Sequence, residues 1–294
     1  MASIDAPALG GPLARAPSPV LVLGAIASVQ FGSAVASTLF ARIGPGGAVL
    51  LRLVSASVVL LIISRPRVRT RTRRELILAA SFGIVLAAMN LSFYEAIRRV
   101  PLGIGVTIEF IGPLMVAVAG TRKRVDFLWV ALAALGILAL MRGGAHEVDP
   151  LGAGLALIAG GMWAAYILLN ARVGQAFADG AGLSLAMCVA SVAALPAGVI
   201  EGGAQLVTPH SLAVGAAVGM LSSAIPYSLE MEALRRIATS VFGVLMSLEP
   251  AVAALAGFLI LGQSLSGREL VGIALVVVAS VGASRRAREV PIAV

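Results

Sequence analysis

Three carboxylates, Glu109, Glu230 and Glu249, stand inside long apolar runs of this sequence. A carboxylate at the centre of a bilayer costs about 2.5–3.5 kcal/mol on the mildest scale, so each is a functional candidate by default. The chemistry open to it is proton carriage, a counter-charge for a cation, or pairing with a substrate ammonium. The structural alternative is a buried hydrogen bond with the acid protonated. Glu249 precedes Pro250, and Glu109 stands four residues before Pro113. A proline leaves the carbonyl one turn back without its donor, so both prolines predict bent helices around a cavity. Glu109, Pro113, Glu249 and Pro250 are therefore the candidate coupling or gating residues. Arg52, some eight residues into another apolar run, is a candidate for carboxylate recognition. Its alternatives are an ion pair with a buried Glu or snorkelling to the outer surface.

Polar stripes accompany the acids. Gln30, Ser33 and Ser37 recur at i, i+3, i+7, and so do Trp163, Tyr166 and Asn170, which match them at a shift of 133. Each set lies on one helix face. Polar atoms facing lipid would go unsatisfied, so both stripes are expected to face the bundle interior. The bland reading of the serines is ordinary helix–helix hydrogen bonding. Asn90 and Tyr227 are related by a shift of 137 and fall mid-helix; the same shift carries Glu109 onto Met246. The candidate substrate-binding residues are Gln30, Ser33, Asn90, Glu109, Trp163, Tyr166, Tyr227 and Met246.

The elements that must hold these residues follow from composition. The chain has 294 residues, of which 59% are hydrophobic and 12% charged, and its mean hydropathy is +1.01. Soluble domains carry about 25% charged residues, so a water-soluble globule of this size is excluded. Ten apolar runs of spanning length start near Val20, Gly46, Leu76, Leu102, Phe127, Leu151, Leu183, Leu212, Ala238 and Leu270. They end near Phe40, Ser64, Ile97, Gly120, Met141, Ala171, Ile200, Leu234, Leu261 and Ser284. The first run, with Ala34-Val35-Ala36, mimics a signal peptide, but its apolar stretch is too long and its basic flank too thin. The net charge of +8 comes from basic loops between runs, which contact the cytoplasmic leaflet rather than nucleic acid. With the N-terminus inside, 16 basic residues fall on the inner side, 5 on the outer and Arg52 within a span. That bias places both termini in the cytoplasm.

A shift of 137 also lays Glu95-Ala96-Ile97-Arg98-Arg99 over Glu232-Ala233-Leu234-Arg235-Arg236, Pro113 over Pro250, Ala117 over Ala254 and Gly120 over Gly257. The repeat unit holds five helices, an odd number, so its two copies must be oppositely oriented. Opposed halves with a midplane site between them are a transporter signature; a mere duplicated scaffold would not need carboxylates in its spans. Glu95 and Glu232 each have arginines three and four residues on, the spacing of a local ion pair at a helix end. The expected fold is an all-α membrane protein, ten transmembrane helices forming two inverted five-helix repeats around a central cavity. A disordered tail over 1–19 precedes repeat one over 20–141; repeat two covers 151–284, and a tail covers 285–294. Walker, H-E-x-x-H and G-x-S-x-G motifs are absent, as is a cysteine pair beside Cys188, so neither an enzyme nor a resident cofactor or metal is expected. Gradient-driven transport is. His146 and His210 fall in outer loops. Gly215 and Gly219 make a G-x-x-x-G that reads as close helix packing.

Four stretches carry a family resemblance: Met162-Trp163-Ala164-Ala165-Tyr166-Ile167-Leu168, Val100-Pro101-Leu102-Gly103-Ile104, Pro226-Tyr227-Ser228-Leu229-Glu230-Met231 and Leu245-Met246-Ser247-Leu248-Glu249-Pro250. They resemble the drug/metabolite transporter superfamily, EamA type. The last two, with Glu109-Phe110-Ile111-Gly112-Pro113, resemble its bacterial threonine/homoserine exporter branch; aromatic amino-acid exporters belong to the same superfamily. The chain departs from the pattern at Leu261-Gly262-Gln263, where such proteins often carry Leu-Gly-Glu. The resemblance implies a bacterial inner-membrane exporter of amino acids and related metabolites: threonine, homoserine, methionine or aromatic amino acids. A drug-efflux pump for lipophilic cations is the alternative, and the low aromatic content of 5% leans against it. The implied partners are a small-molecule substrate and the lipid bilayer, without nucleic acid, and a monomer is compatible with this reading. Reporters fused to the C-terminus are expected to be active in the cytoplasm; periplasmic activity would refute the topology and the inversion together.

Overall fold

A computed structural model describes residues 16–119, 126–141, 148–177, 181–234 and 245–286. The described residues are almost entirely helical. In chain order the α-helices are α1 (Ser18–Ser37), α2 (Phe40–Ser64), α3 (Arg73–Ile97), α4 (Leu102–Glu109), α5 (Ile111–Ala119), α6 (Asp126–Met141), α7 (Pro150–Ala176), α8 (Ala181–Gly202), α9 (Pro209–Gly219), α10 (Ile225–Leu234), α11 (Glu249–Leu261) and α12 (Gly267–Arg286). A single π-helical turn, Met220–Ala224, joins α9 to α10.

Among the described residues, five helices are long and apolar enough to cross a membrane: Ser18–Ser37, Phe40–Ser64, Arg73–Ile97, Pro150–Ala176 and Ala181–Val207. Shorter apolar helices, among them Leu128–Leu140 and Glu249–Leu261, accompany them. The outer surface is apolar too, with Ile200 82%, Val207 72% and Ile63 71% exposed. In water such a surface would aggregate; against lipid chains it is the expected coat.

The helix ends follow local sequence. Thr72 and Glu75 form a reciprocal capping box at the start of α3, and the Asp149 side chain accepts from the Leu151 N–H at the start of α7. Several expected boundaries move by a few residues, and the sixth run, expected to end at Ala171, continues to Ala176. The first run, expected to reach Phe40, stops at Ser37, and only Thr38 and Leu39 separate it from α2. The second run, expected from Gly46, already begins at Phe40, because its helix is kinked rather than broken at Gly44, whose φ is 68°. The expected fourth and eighth runs are each interrupted, at Phe110 and at the π turn. The tail expected over 1–19 ends earlier, because α1 already starts at Ser18, and α12 runs on to Arg286, past the expected boundary at 285; the start of the ninth run at Ala238 lies outside the described residues.

Packing is close where side chains are small. The helix pairs in broadest contact include α2 with α8, α3 with α7 and with α8, α6 with α12, α1 with α10 and with α11, α2 with α9, and α4 with α11. The G-x-x-x-G of α9 packs within the chain. A Cβ on Gly215 would sit 2.6 Å from Leu51, and one on Gly219 would sit 3.0 Å from the Arg52 carbonyl. At the crossing of α4, α5 and α7, a Cβ on Gly160 would sit 2.6 Å from the Glu109 carbonyl oxygen, and one on Gly112 would strike the Gly160 backbone. Gly160→Val is therefore expected to overpack a backbone-to-backbone contact, costing about 1–3 kcal/mol or more. Gly161→Ala, whose Cβ meets open space, is expected to leave stability unchanged. Melting of the two variants in detergent checks the contrast.

Candidate functional site

The site is built at helix breaks. Pro113 has no N–H, so the Glu109 carbonyl loses its intrahelical donor. The helix divides there into α4 and α5, joined through Phe110. Gly160 lets α7 approach this break, and one turn further along α7 Trp163 meets the Phe110 ring edge-on, with centroids 5.4 Å apart. Glu109 itself is buried, with 7% exposure.

A second break lies before α11. Glu249 opens that helix and Pro250 follows it, so the Met246 carbonyl is the one without a donor. The shift of 137 that relates Glu109 to Met246 thus relates two carbonyls released in the same way. Glu249 is 5% exposed. Gln30 of α1, 2% exposed, donates from Nε2 to Glu249 Oε1 at 2.9 Å. The other two oxygens of this pair, Gln30 Oε1 and Glu249 Oε2, are buried and have no hydrogen-bond partner among the described residues. The charges of Glu109 and Glu249 act on each other, and Arg52 acts on Glu109. Glu230 acts on Glu249 in turn. Half-buried Met246 packs against the cluster containing Phe110 and Ile108, and also against that containing Ile26, one turn before Gln30. Trp163 packs on the first of these clusters. Residues from α1, α4, α7 and α11 are thereby gathered around one centre.

Arg52 acts on the buried Glu109 and also holds groups of other helices. It is 6% exposed and does not snorkel. It donates through Nη2 to the Ser222 carbonyl at 2.8 Å, through Nε to Ser223 Oγ at 3.2 Å, and through Nη1 to the Tyr94 hydroxyl at 3.1 Å. Its guanidinium also lies 5.5 Å from the Tyr94 ring centroid. Pro226 lacks the N–H that would have served the carbonyls of the π turn. Arg52 covers Ser222, and Ser28 of α1 covers the Leu221 carbonyl at 2.6 Å.

The remaining expected residues divide. Ser33 is buried at 1%. Asn90 is buried, but its amide donates to the Leu86 carbonyl of its own helix at 2.8 Å. Tyr166 is half-buried against Phe82, with centroids 5.3 Å apart. Asn170, expected inside with Trp163 and Tyr166, is exposed, although Val173 and Phe177 beyond it are buried in the core. The side chains of Tyr227 and Glu232, the residues Arg235 and Arg236, and His146 lie outside the described residues. Glu95 forms the local ion pair that its spacing predicts, with Arg98 at 2.8 Å and with Arg99. An open depression of about 600 Å³ lies at one end of the bundle, lined by Thr38, Leu39, Ala41, Arg42, Gln205 and His210.

Two residues escaped sequence reasoning. Gln263 Oε1 accepts from the Leu102 N–H at 2.9 Å, capping the start of α4 from the end of α11. The departure from Leu-Gly-Glu therefore keeps the acceptor and drops only the charge. Glu201 of α8 accepts from the Gly46 N–H at 2.7 Å, capping α2 after its kink. Charge alone marked Glu201, and nothing local marked its partner.

Apolar helices on the outside, with ionisable side chains gathered at helix breaks inside, are the build of an α-helical membrane transporter. The chain belongs to the EamA-like transporter family, whose profile matches residues 150–285. It is 41% identical over 277 residues to a protein of Salmonella typhimurium named threonine/homoserine exporter RhtA, covering 93% of each chain. It is 40% identical over 273 residues to the protein of that name from Escherichia coli strain K12, covering 92% of each. A solved crystal structure of a protein at 16% identity shares the fold, with a TM-score of 0.63 over 92% of this chain and 98% of that one.

Replacing Arg52 by Met leaves the Ser222 carbonyl without its charged donor. A hydrogen bond to a charged group is worth about 1.5–3 kcal/mol, so Arg52→Met should lower the detergent melting temperature clearly. Gln263→Glu, which keeps the cap acceptor, should melt close to the wild type, and Gln263→Leu below it by roughly the 1 kcal/mol of a lost cap.

Proposed function

We propose that this protein exports small amino acids of the threonine and homoserine type across a bacterial inner membrane by alternating access. It is a transporter and not an enzyme. The single observation that carries the reading is the 40–41% identity, over 92–93% of the chain, to exporters of that name. The buried cluster of Gln30, Glu109 and Glu249 supplies polar recognition inside an apolar bundle, and Trp163, Tyr166 and Met246 supply its apolar wall. The low aromatic content of 5% favours a small zwitterion over a lipophilic cation.

In this reading ten spans form two inverted five-helix halves over 20–141 and 151–284, with both termini cytoplasmic. The helix pairing supports it. Numbering the spans in order and exchanging each with its partner five spans on maps the pairs α2·α8, α4·α11 and α6·α12 onto themselves. The same exchange swaps α3·α7 with α1·α10. A two-fold relation between the halves produces this pattern, and one chain holds the whole cluster, so a monomer suffices. The breaks at Phe110 and before Glu249 are the places where the halves can bend.

The test is reconstitution. Proteoliposomes loaded with unlabelled threonine should take up labelled threonine by counterflow, and homoserine should compete. Absence of exchange with any amino acid in a panel would sink the reading. Glu109→Gln keeps size and most hydrogen bonding but removes titration. It is expected to abolish transport driven by a pH gradient while counterflow continues; unchanged pH-driven transport would make Glu109 a structural residue at the Pro113 break.

A further inference from the structure

The pair Gln30–Glu249 carries an unbalanced set of polar atoms. Gln30 Nε2 donates to Glu249 Oε1 at 2.9 Å, which leaves two acceptors, Gln30 Oε1 and Glu249 Oε2, buried and unpartnered among the described residues. Two bare acceptors in an apolar bundle are expensive, and a buried polar group without a partner asks for an explanation. One neutral N–H could serve only one of them, whereas an ammonium group, with three N–H donors, could serve both. Around the pair stand more acids than bases. Glu230 from α10 and Glu109 from α4 act on the pair, while Arg52 of α2 acts at Glu109 and donates to Ser222, Ser223 and Tyr94. Beside Glu249 the surroundings are accessible: Met246, one turn before Glu249, and Trp163 are half-buried rather than sealed.

We propose that Gln30 Oε1 and Glu249 Oε2 are the subsite for the α-ammonium group of an amino-acid substrate, with Gln30 holding the Glu249 carboxylate in place through its amide N–H. This rests on the amino-acid exporter reading and assigns one end of the substrate within it. The ammonium has three donors; two reach the bare oxygens, and its charge offsets that of the Glu249 carboxylate. Ser33, on the same helix as Gln30, and Glu109 then lie towards the rest of the substrate rather than its amine. The same chemistry would accept an inorganic monovalent cation, so the experiment must separate the two guests.

The measurement is counterflow of labelled L-threonine in proteoliposomes, with three unlabelled competitors. These are L-threonine, its analogue with hydroxyl in place of the α-amine, and threoninamide, which masks the carboxylate. A site built to hydrogen-bond a substrate group rejects the analogue lacking it, because its own polar atoms are left unpaired; the amine-less analogue should compete at least about tenfold more weakly than threonine. In Glu249→Gln that discrimination should collapse towards unity while discrimination against threoninamide persists. Equal collapse of both, or retention of full amine discrimination, overturns the assignment. If Glu249→Gln does not yield folded protein, Gln30→Leu, which removes the other oxygen, is judged by the same two ratios. Exchange that disappears when choline replaces all sodium and potassium would hand the subsite to an inorganic cation and overturn the proposal. If the wild type exchanges no amino acid at all, the exporter reading itself fails; amine discrimination unmoved in an exchanging variant defeats only the subsite.

Discussion

Every backbone carbonyl set free inside an apolar bundle has to be met by a donor, and this constraint organises the molecule. Proline creates the free groups at three breaks, by Pro113, Pro226 and Pro250. The π turn at Met220–Ala224 adds to them. At the π turn the covering groups come from other helices: the Arg52 guanidinium on Ser222 and the Ser28 hydroxyl on Leu221. Free N–H groups at helix starts obey the same rule, with Gln263 capping α4 and Glu201 capping α2 from α11 and α8. In water these groups would be solvated at little cost. Within a bilayer the unsatisfied group costs several kcal/mol, so the π turn is tied to both α1 and α2.

The breaks and the buried acids belong to one design. A helix interruption places polar backbone at depth, and that is where an ionisable side chain can be held without facing lipid. Glu109 sits at the break before α5 and Glu249 at the start of α11. Their mutual repulsion is moderated by Arg52 near the first and by the Gln30 amide on the second. Small residues make the gathering possible. Gly160 brings α7 within backbone distance of Glu109, which sets Trp163 against Phe110 and Met246.

Arg52 shows how a buried charge can serve architecture. Sequence context allowed substrate recognition, an ion pair or snorkelling. It acts on Glu109, and it also donates to a carbonyl, a serine hydroxyl and a tyrosine hydroxyl. A guanidinium suits that role because its fork presents several fixed donors at once. It couples α2, α3 and the π turn in a single residue.

By itself the sequence determined the class of protein, the helical runs and the acids worth watching. Hydropathy over some twenty residues is a local property, and so is the absence of an N–H at a proline. That is why the helices were legible to within a few residues, why the Pro113 break was anticipated, and why Glu95 could be paired with Arg98. Relations between distant residues were not legible. Gln30 with Glu249 spans 219 positions, and Arg52 with Ser222 spans 170. Gln263 could be seen only as a departure, because the N–H it caps belongs to Leu102, a helix end on the other half of the chain. The spacing on α7 predicts an internal face for Asn170, yet Asn170 is exposed while Val173, one turn on, is buried, since i, i+3, i+7 spacing defines a stripe but not which of its residues a neighbouring helix covers. Only the tertiary structure decided which freed backbone group meets which side chain, because that depends on where helices cross, and crossing points are set by small residues on both partners at once.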